Sequence, residues 1–297
     1  DDPTQETTDV GPLIRPGEVD RVEAWVNEAV SSGALVKSGG KRLSATTYQP
    51  TVLYDPPDHC KVSQQEIFGP VLHVIEFDAE DLDKVIEEIN NTGYGLTFGI
   101  HSRIDTRVDK ICAKAEIGNI YVNRNQIGAV VGVQPFGGEG LSGTGPKAGG
   151  PLYARRFSEA PNAELPKSRT LEMPGPTGEQ NTWSLIPKGL IACLGPDAAS
   201  VRQQIEMVKS TGNEPVTLDD HDGSMNAVLN LPELAMVLSD DTGRSLASMR
   251  QTLAARAGKR ILVVDPQKNP ELLFAEKAIS EDTTASGGNA SLLASVG

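Results

Sequence analysis

Two stretches of this sequence hold residues whose types and spacing could do chemistry. The first runs from Gly118 to Pro151, GNIYVNRNQIGAVVGVQPFGGEGLSGTGPKAGGP. Gly128, Gly132, Gly137, Gly138, Gly140, Gly143, Gly145, Gly149 and Gly150 crowd its later part. A core has no use for such a run, because each glycine costs folding entropy and buries no side chain. Backbone that approaches a ligand closely does. The second stretch is Glu66-Ile67-Phe68-Gly69-Pro70, where a carboxylate, an aromatic ring and a Gly-Pro turn meet at the mouth of a strand. Such a carboxylate can accept from two sugar hydroxyls at once. Standing alone, the pentapeptide reads equally well as a surface loop.

Other candidates fail on context. Gly138 to Gly143 spells G-x-G-x-x-G, but a dinucleotide fingerprint needs a strand before it and a helix opening within it. Pro135 and Phe136 precede it and Thr144-Gly145-Pro146 follow, so no helix is expected there. The Gly-Lys-Ser/Thr ending of a phosphate loop is missing as well. His59, His73, His101 and His221 show no metal-ligand spacing. Asp219-Asp220-His221-Asp222-Gly223 lacks the alternating oxygen ligands and the closing Glu of a calcium loop, so it reads as a solvated turn. No metal site is expected. Cys60, Cys112 and Cys193 are odd in number and far apart, which fits reduced thiols in a cytoplasm. Cys112 and Cys193 read as core, Cys60 as a loop or strand-edge residue, and none has the electropositive setting of a reactive thiolate.

The elements that must position these residues alternate. A helix is expected over Pro16–Ser31 with Val19, Val22, Val26 and Val30 inward, then strands near Ala34–Val36, Thr51–Tyr54 and Val71–Phe77. Asp78 is expected to cap a helix whose apolar face is Leu82, Val85, Ile86 and Ile89. A strand over Thr97–His101, a helix over Thr106–Ala115 and a strand at Asn119–Val122 lead into the glycine loop. After Arg156 the composition changes: Pro161, Pro166, Pro174 and Pro176 suggest a linker or arm over residues 158–185. Alternation returns with a strand over Leu190–Leu194, a helix over Ala198–Ser210, a strand over Leu234–Leu238, a helix over Gly243–Ala257 and a strand over Arg260–Asp265. That is a small doubly wound α/β unit. Its first strand leads into Leu194-Gly195-Pro196-Asp197, with one glycine where a pyrophosphate site needs three, so a fold without its ligand is expected. The tail from Ser280 is rich in small residues.

The 297 residues carry a net charge of −13, which disfavours a nucleic acid or an anionic membrane as partner. No apolar run reaches the length of a spanning helix and no signal peptide is apparent. The chain opens at Asp1 rather than at methionine, and a piece of a longer protein is the expectation.

EIFGPV, followed by GNIYVNR and then QPFGGEGLSGTG, resembles the aldehyde dehydrogenase superfamily. GAVVGVQPFGG, GTGPKAGGP, PGPTGEQNTW and the terminal TTASGGNASLL are similar to the proline utilization A family of bifunctional bacterial enzymes. The resemblance implies an α/β chain. Residues 1–157 would be the C-terminal part of an aldehyde dehydrogenase catalytic domain, and residues 186–279 a smaller, non-catalytic Rossmann-like α/β domain. Residues 280–297 would form a tail associated with closing the active-site side and with assembly. It implies oxidation of L-glutamate γ-semialdehyde to glutamate with NAD, in the bacterial cytoplasm and in a homo-oligomer. FAD would belong only to a proline dehydrogenase domain elsewhere in the parent protein. Motif by motif, Glu66 would meet the nicotinamide ribose hydroxyls and Phe68 the nicotinamide end. Gly128 and Ala129 would hold the substrate's α-carboxylate through backbone N–H groups, and Phe136 would pack along its aliphatic chain. The later glycines would shape the loop. The family's catalytic cysteine lies in a Gly-Gln-Arg-Cys setting that no cysteine here has, so the chain is expected to be inactive alone. The alternative is a structural or assembly module of the same parent.

Overall fold

The computed structural model describes residues 2–157, 169–265 and 270–284. It divides into two compact units, Asp1–Val85 and Ile86–Gly297.

In the first unit, α1 (Pro16–Ser31) has Pro16 in its first turn and buries Val19, Val22, Val26 and Ala29. Val30, expected inward, is exposed in the last turn, where Ala29 takes the covered position. Strands β1 (Leu35–Ser38) and β2 (Thr51–Tyr54) pair antiparallel. After the short helix α2 (Lys61–Gln64), β3 (Val71–Val74) adds in parallel to β2. The apolar side of α1 packs on Tyr48, Leu53, Val62 and Ile67, so this core is assembled from elements close together in sequence.

A helix, α3 (Leu82–Asn91), follows a 3-10 turn over Ala79–Asp81. Asp78 precedes that turn and makes no side-chain cap, because the turn comes between it and the helix. The second unit continues with β4 (Tyr94–Gly95), β5 (Thr97–Ile100), α4 (Asp105–Lys114) and β6 (Asn119–Val122). All four residues of β6 are buried, as suits a parallel strand covered on both faces. The two-residue strand β7 (Glu139–Gly140) pairs with β4.

The stretch expected to be a linker is structured where it is described. β8 (Thr170–Met173) and β9 (Glu179–Pro187) form an antiparallel pair, and Asn181, Trp183 and Leu185 of β9 point inward at every second residue. Pro174 and Pro176 fall between the strands, where they cost no ladder hydrogen bonds. Then come β10 (Leu190–Cys193), α5 (Ala198–Ser210), β11 (Glu214–Val216), α6 (Met225–Leu229), β12 (Leu234–Leu238), α7 (Arg244–Ala254) and β13 (Leu262–Val264). These four strands make a parallel sheet in the order β11-β10-β12-β13. Asp197 caps α5 by accepting from the amides of Ala199 and Ser200 (2.9 and 2.8 Å).

The last strand, β14 (Phe274–Asp282), returns to the earlier part of the unit. It runs parallel to β6 and antiparallel to β9, giving the sheet order β5-β6-β14-β9-β8. The segment assigned from sequence to a separate domain over residues 186–279 therefore ends inside a sheet begun by β5 and β6. Ser280, expected to open the tail, is a buried strand residue. Residues 285–297, the rest of the expected tail, lie outside the described residues, as do 158–168 of the expected linker.

Candidate functional site

In the first unit the backbone is fixed and the side chains are presented. Ile67 is buried in the core formed on α1. Its carbonyl accepts from the Arg21 guanidinium (2.5 Å), which is itself held by Glu18 (2.8 Å) and lies 4.5 Å over the Trp25 ring. Gly69 passes so close to α1 that a Cβ there would sit 2.7 Å from a Val22 methyl. With Ile67 turned inward, its neighbours Glu66 and Phe68 turn out and are exposed. Phe68 is 74% exposed and has φ +47°, a left-handed backbone that costs a bulky residue energy. Exposure of the ring and strain of the backbone act against stability together, which suits a surface built for stacking. The carboxylate two residues before it can accept hydrogen bonds from a diol.

In the second unit the arrangement is inverted. β6 is followed by Asn123, whose side-chain amide bonds both the N–H and the carbonyl of Ser102 (3.0 Å each). The loop beyond it has positive φ at Gly128 (+75°) and Gly132 (+79°), with nothing within 4 Å of either Cβ position. Val130 closes a turn by accepting from the amides of Val133 and Gln134 (3.1 and 2.9 Å), and its own amide donates to Gln134 Oε1 (3.1 Å). Among the described residues none accepts from the amides of Gly128 or Ala129. Two adjacent N–H groups without a protein acceptor are thus left available to a ligand. Phe136, half-buried, exchanges both backbone hydrogen bonds with Ala148 (3.0 and 2.8 Å), which fixes the far side of the loop. Glu66 and Phe68 thus stand together on one loop, and Gly128, Ala129 and Phe136 on another.

The later glycines serve packing. No helix opens within Gly138–Gly143. Beneath this part lies Lys147, which sequence reasoning missed. It is 1% exposed and its ammonium donates to the Gly137 carbonyl and to Asn119 Oδ1 (3.2 Å). Burial lowers its pKa to about 8, against an ordinary 10.5. A Cβ at Gly118 would lie 2.2 Å from the Gly137 oxygen and 2.7 Å from the Lys147 nitrogen. Glu276 of β14 accepts from the Lys147 amide (2.8 Å) and from Trp183 Nε1 (2.7 Å), and burial raises its pKa. Neither Lys147 nor Gln134 carries a local sequence signal, because what makes their burial tolerable includes partners remote in the chain, Asn119 for the first and Glu179 and Ser280 for the second.

Cys60 and Cys193 are buried and Cys112 is half-buried. Burial pushes the Cys112 thiol up to about 11 and the Cys193 thiol up to about 12, so neither is a thiolate near neutral pH. Among the described residues no group of three His, Cys, Asp or Glu side chains could hold a metal ion, and no helix is long and apolar enough to cross a membrane. In the Asp219–Gly223 turn, Asp220 is occupied by the amide and hydroxyl of Thr217 (2.8 Å each).

The sequence model of the aldehyde dehydrogenase family matches residues 1–162, more than half of the chain. The chain belongs to that family. The Bifunctional protein PutA of Escherichia coli (strain K12) is 33% identical over 371 residues, covering 98% of this chain and 28% of that protein. The 1-pyrroline-5-carboxylate dehydrogenase of Geobacillus thermodenitrificans (strain NG80-2) is 39% identical over 153 residues, covering 51% of this chain and 29% of the relative. The solved structure of Proline Utilization A (PutA) from Corynebacterium freiburgense superposes with a TM-score of 0.71 at 24% identity, over 93% of this chain and 32% of that one. That likeness extends the shared fold beyond the family match. The chain spans less than a third of the length of these relatives.

Proposed function

We propose that this chain is a piece of an NAD-dependent L-glutamate γ-semialdehyde dehydrogenase of proline catabolism, and that it supplies the substrate anchor and part of the cofactor clamp. The observation that carries this reading is the pair of open amides at Gly128 and Ala129, set in a loop whose next amide, that of Val130, is already taken. A carboxylate held there would be fixed at its far end, with Phe136 available along its aliphatic chain, so that the aldehyde carbon is aimed rather than free to rotate. Relatives named for 1-pyrroline-5-carboxylate dehydrogenase and for the bifunctional protein support that substrate class.

For the cofactor, an exposed carboxylate and an exposed ring two residues apart fit a ribose diol and the flat ring attached to it. Glu66 would accept from the ribose hydroxyls and Phe68 would pack against the nicotinamide end. NAD, when bound, supplies the hydride acceptor. The residues of this chain bind and orient. The nucleophile belongs to polypeptide outside residues 1–297, since the thiols of Cys112 and Cys193 are held protonated by burial and Cys60 is wholly enclosed. The longer protein is a cytoplasmic homo-oligomer on this reading.

The test is Ala129→Pro in the longer polypeptide, which removes one anchoring N–H. Losing a hydrogen bond to a charged group should raise KM for the semialdehyde about tenfold or more, with assembly unaltered. Altered assembly with unchanged kinetics would make the loop a structural element instead. In parallel, the isolated chain given pyrroline-5-carboxylate and NAD should form no NADH, and turnover would refute an external nucleophile.

A further inference from the structure

The turn that shapes the anchor loop is held from a part of the chain outside the 1–162 family match. Gln134 is 6% exposed. Its Oε1 accepts from the Val130 amide (3.1 Å), while its Nε2 donates to Glu179 Oε1 (2.8 Å) and Ser280 Oγ (3.3 Å). Glu179 opens β9 and Ser280 sits in β14, 45 and 146 residues further along the chain. Both are held in place. Glu179 is ion-paired to Arg124 and accepts from Asn181 Nδ2 (2.9 Å), and Arg124 also donates to Ser280 Oγ (2.7 Å).

A carboxamide has one accepting and one donating end, and only one orientation serves this site. Turned the other way, Gln134 would set its NH2 against the Val130 N–H and its oxygen against a carboxylate. The Glu179 carboxylate therefore selects the orientation that places oxygen toward Val130. We propose that Glu179, assisted by Ser280, is a positioning residue for the substrate. By orienting Gln134 it holds the Val130 turn, and so keeps the amides of Gly128 and Ala129 convergent on the substrate's carboxylate. The segment beyond the family domain then helps to set KM. The proposal rests on the anchor reading given above.

The experiment uses the longer polypeptide, with Glu179→Ala, Glu179→Gln and Gln134→Met compared on two substrates. One is L-glutamate γ-semialdehyde and the other a straight-chain aldehyde of equal length without carboxylate or amine. Glu179→Ala and Gln134→Met should raise KM for the semialdehyde about tenfold, with kcat changed far less and KM for the plain aldehyde unmoved. Glu179→Gln still offers Gln134 an accepting oxygen and should restore most of the wild-type KM. An unchanged KM for the semialdehyde, or an equal rise for both aldehydes, would overturn the role. If Glu179→Ala does not fold, Gln134→Met, close in volume, decides the question alone. Equal kcat/KM of the wild type for the two aldehydes would instead overturn the anchor reading, and the positioning role with it.

Discussion

The loop around Ile67 and the loop around Val130 offer a ligand opposite things. The first presents side chains from a backbone pinned by its own neighbourhood: Ile67 in the α1 core, its carbonyl on Arg21, Gly69 against Val22. The second presents backbone and is pinned by the side chains of Gln134 and Lys147, and Gln134 is in turn held by Glu179 and Ser280 from far along the chain. The difference follows from the ligand chemistry proposed for each. A ring and a diol are recognised by a ring and a carboxylate, which can stand out from a rigid turn. A carboxylate is recognised by converging amides, and a loop that exposes amides cannot spend them on holding itself together.

The sharpest way to probe the second arrangement is through Lys147. Its folded-state pKa of about 8 lies below the ordinary 10.5, so between those values the unfolded chain binds more protons than the folded one. Stability therefore rises with pH across that window, and below it the cost of burying the charge is fully present. The wild type should gain on the order of 3 kcal/mol from this group as pH climbs through the window, and Lys147→Met should lack that gain. Urea unfolding at about pH 7 and about pH 10 measures the difference. Parallel profiles for the two proteins would mean that the ammonium is not buried.

Gly118→Ala attacks the same floor sterically, driving a methyl against the Gly137 carbonyl and the Lys147 ammonium. A loss of about 3 kcal/mol is expected, read from urea unfolding by the fluorescence of buried Trp183. Gly69→Ala is the counterpart in the first loop, where the obstacle is a single Val22 methyl. A loss of about 1–2 kcal/mol should register at Trp25, and no loss would mean that this loop is less tightly pinned than its contacts show. Gly128→Ala should be mildest. There is open space around it, and only the positive φ opposes the change, at about 1 kcal/mol. A larger loss there would show that the amide pair is packed rather than open.

Much of the scaffold was legible because it is encoded by near neighbours. The spacing of Val19, Val22 and Val26 behind Pro16 sets α1, and four residues compatible with a buried strand set β6. The pentapeptide at Glu66 and the glycine loop stood out for the same reason, since turn chemistry and glycine content are local properties. NTWSLIP alternates as β9 requires, but the flanking prolines argue for a linker and mask the strand. β14 could not have been read at all: Ala275-Glu276-Lys277-Ala278 has the composition of an exposed helix. It becomes a strand because Glu276 meets Trp183 and the Lys147 amide, and because Lys277 reaches the carbonyls of Cys112 and Ala115 at the end of α4 (2.6 and 2.9 Å), 165 and 162 residues back.

The sequence alone thus determined which residues are candidates for contact: Glu66, Phe68, Gly128, Ala129 and Phe136. Only the tertiary structure decided what holds the glycine loop: Gln134 and Lys147 within it, and Glu179 and Ser280 from far along the chain. The physical reason is burial of polar groups. A lone buried lysine, glutamine or glutamate is costly, and whether it is tolerated depends on a partner at any distance along the chain. Periodicity and turn chemistry carry no record of that partner.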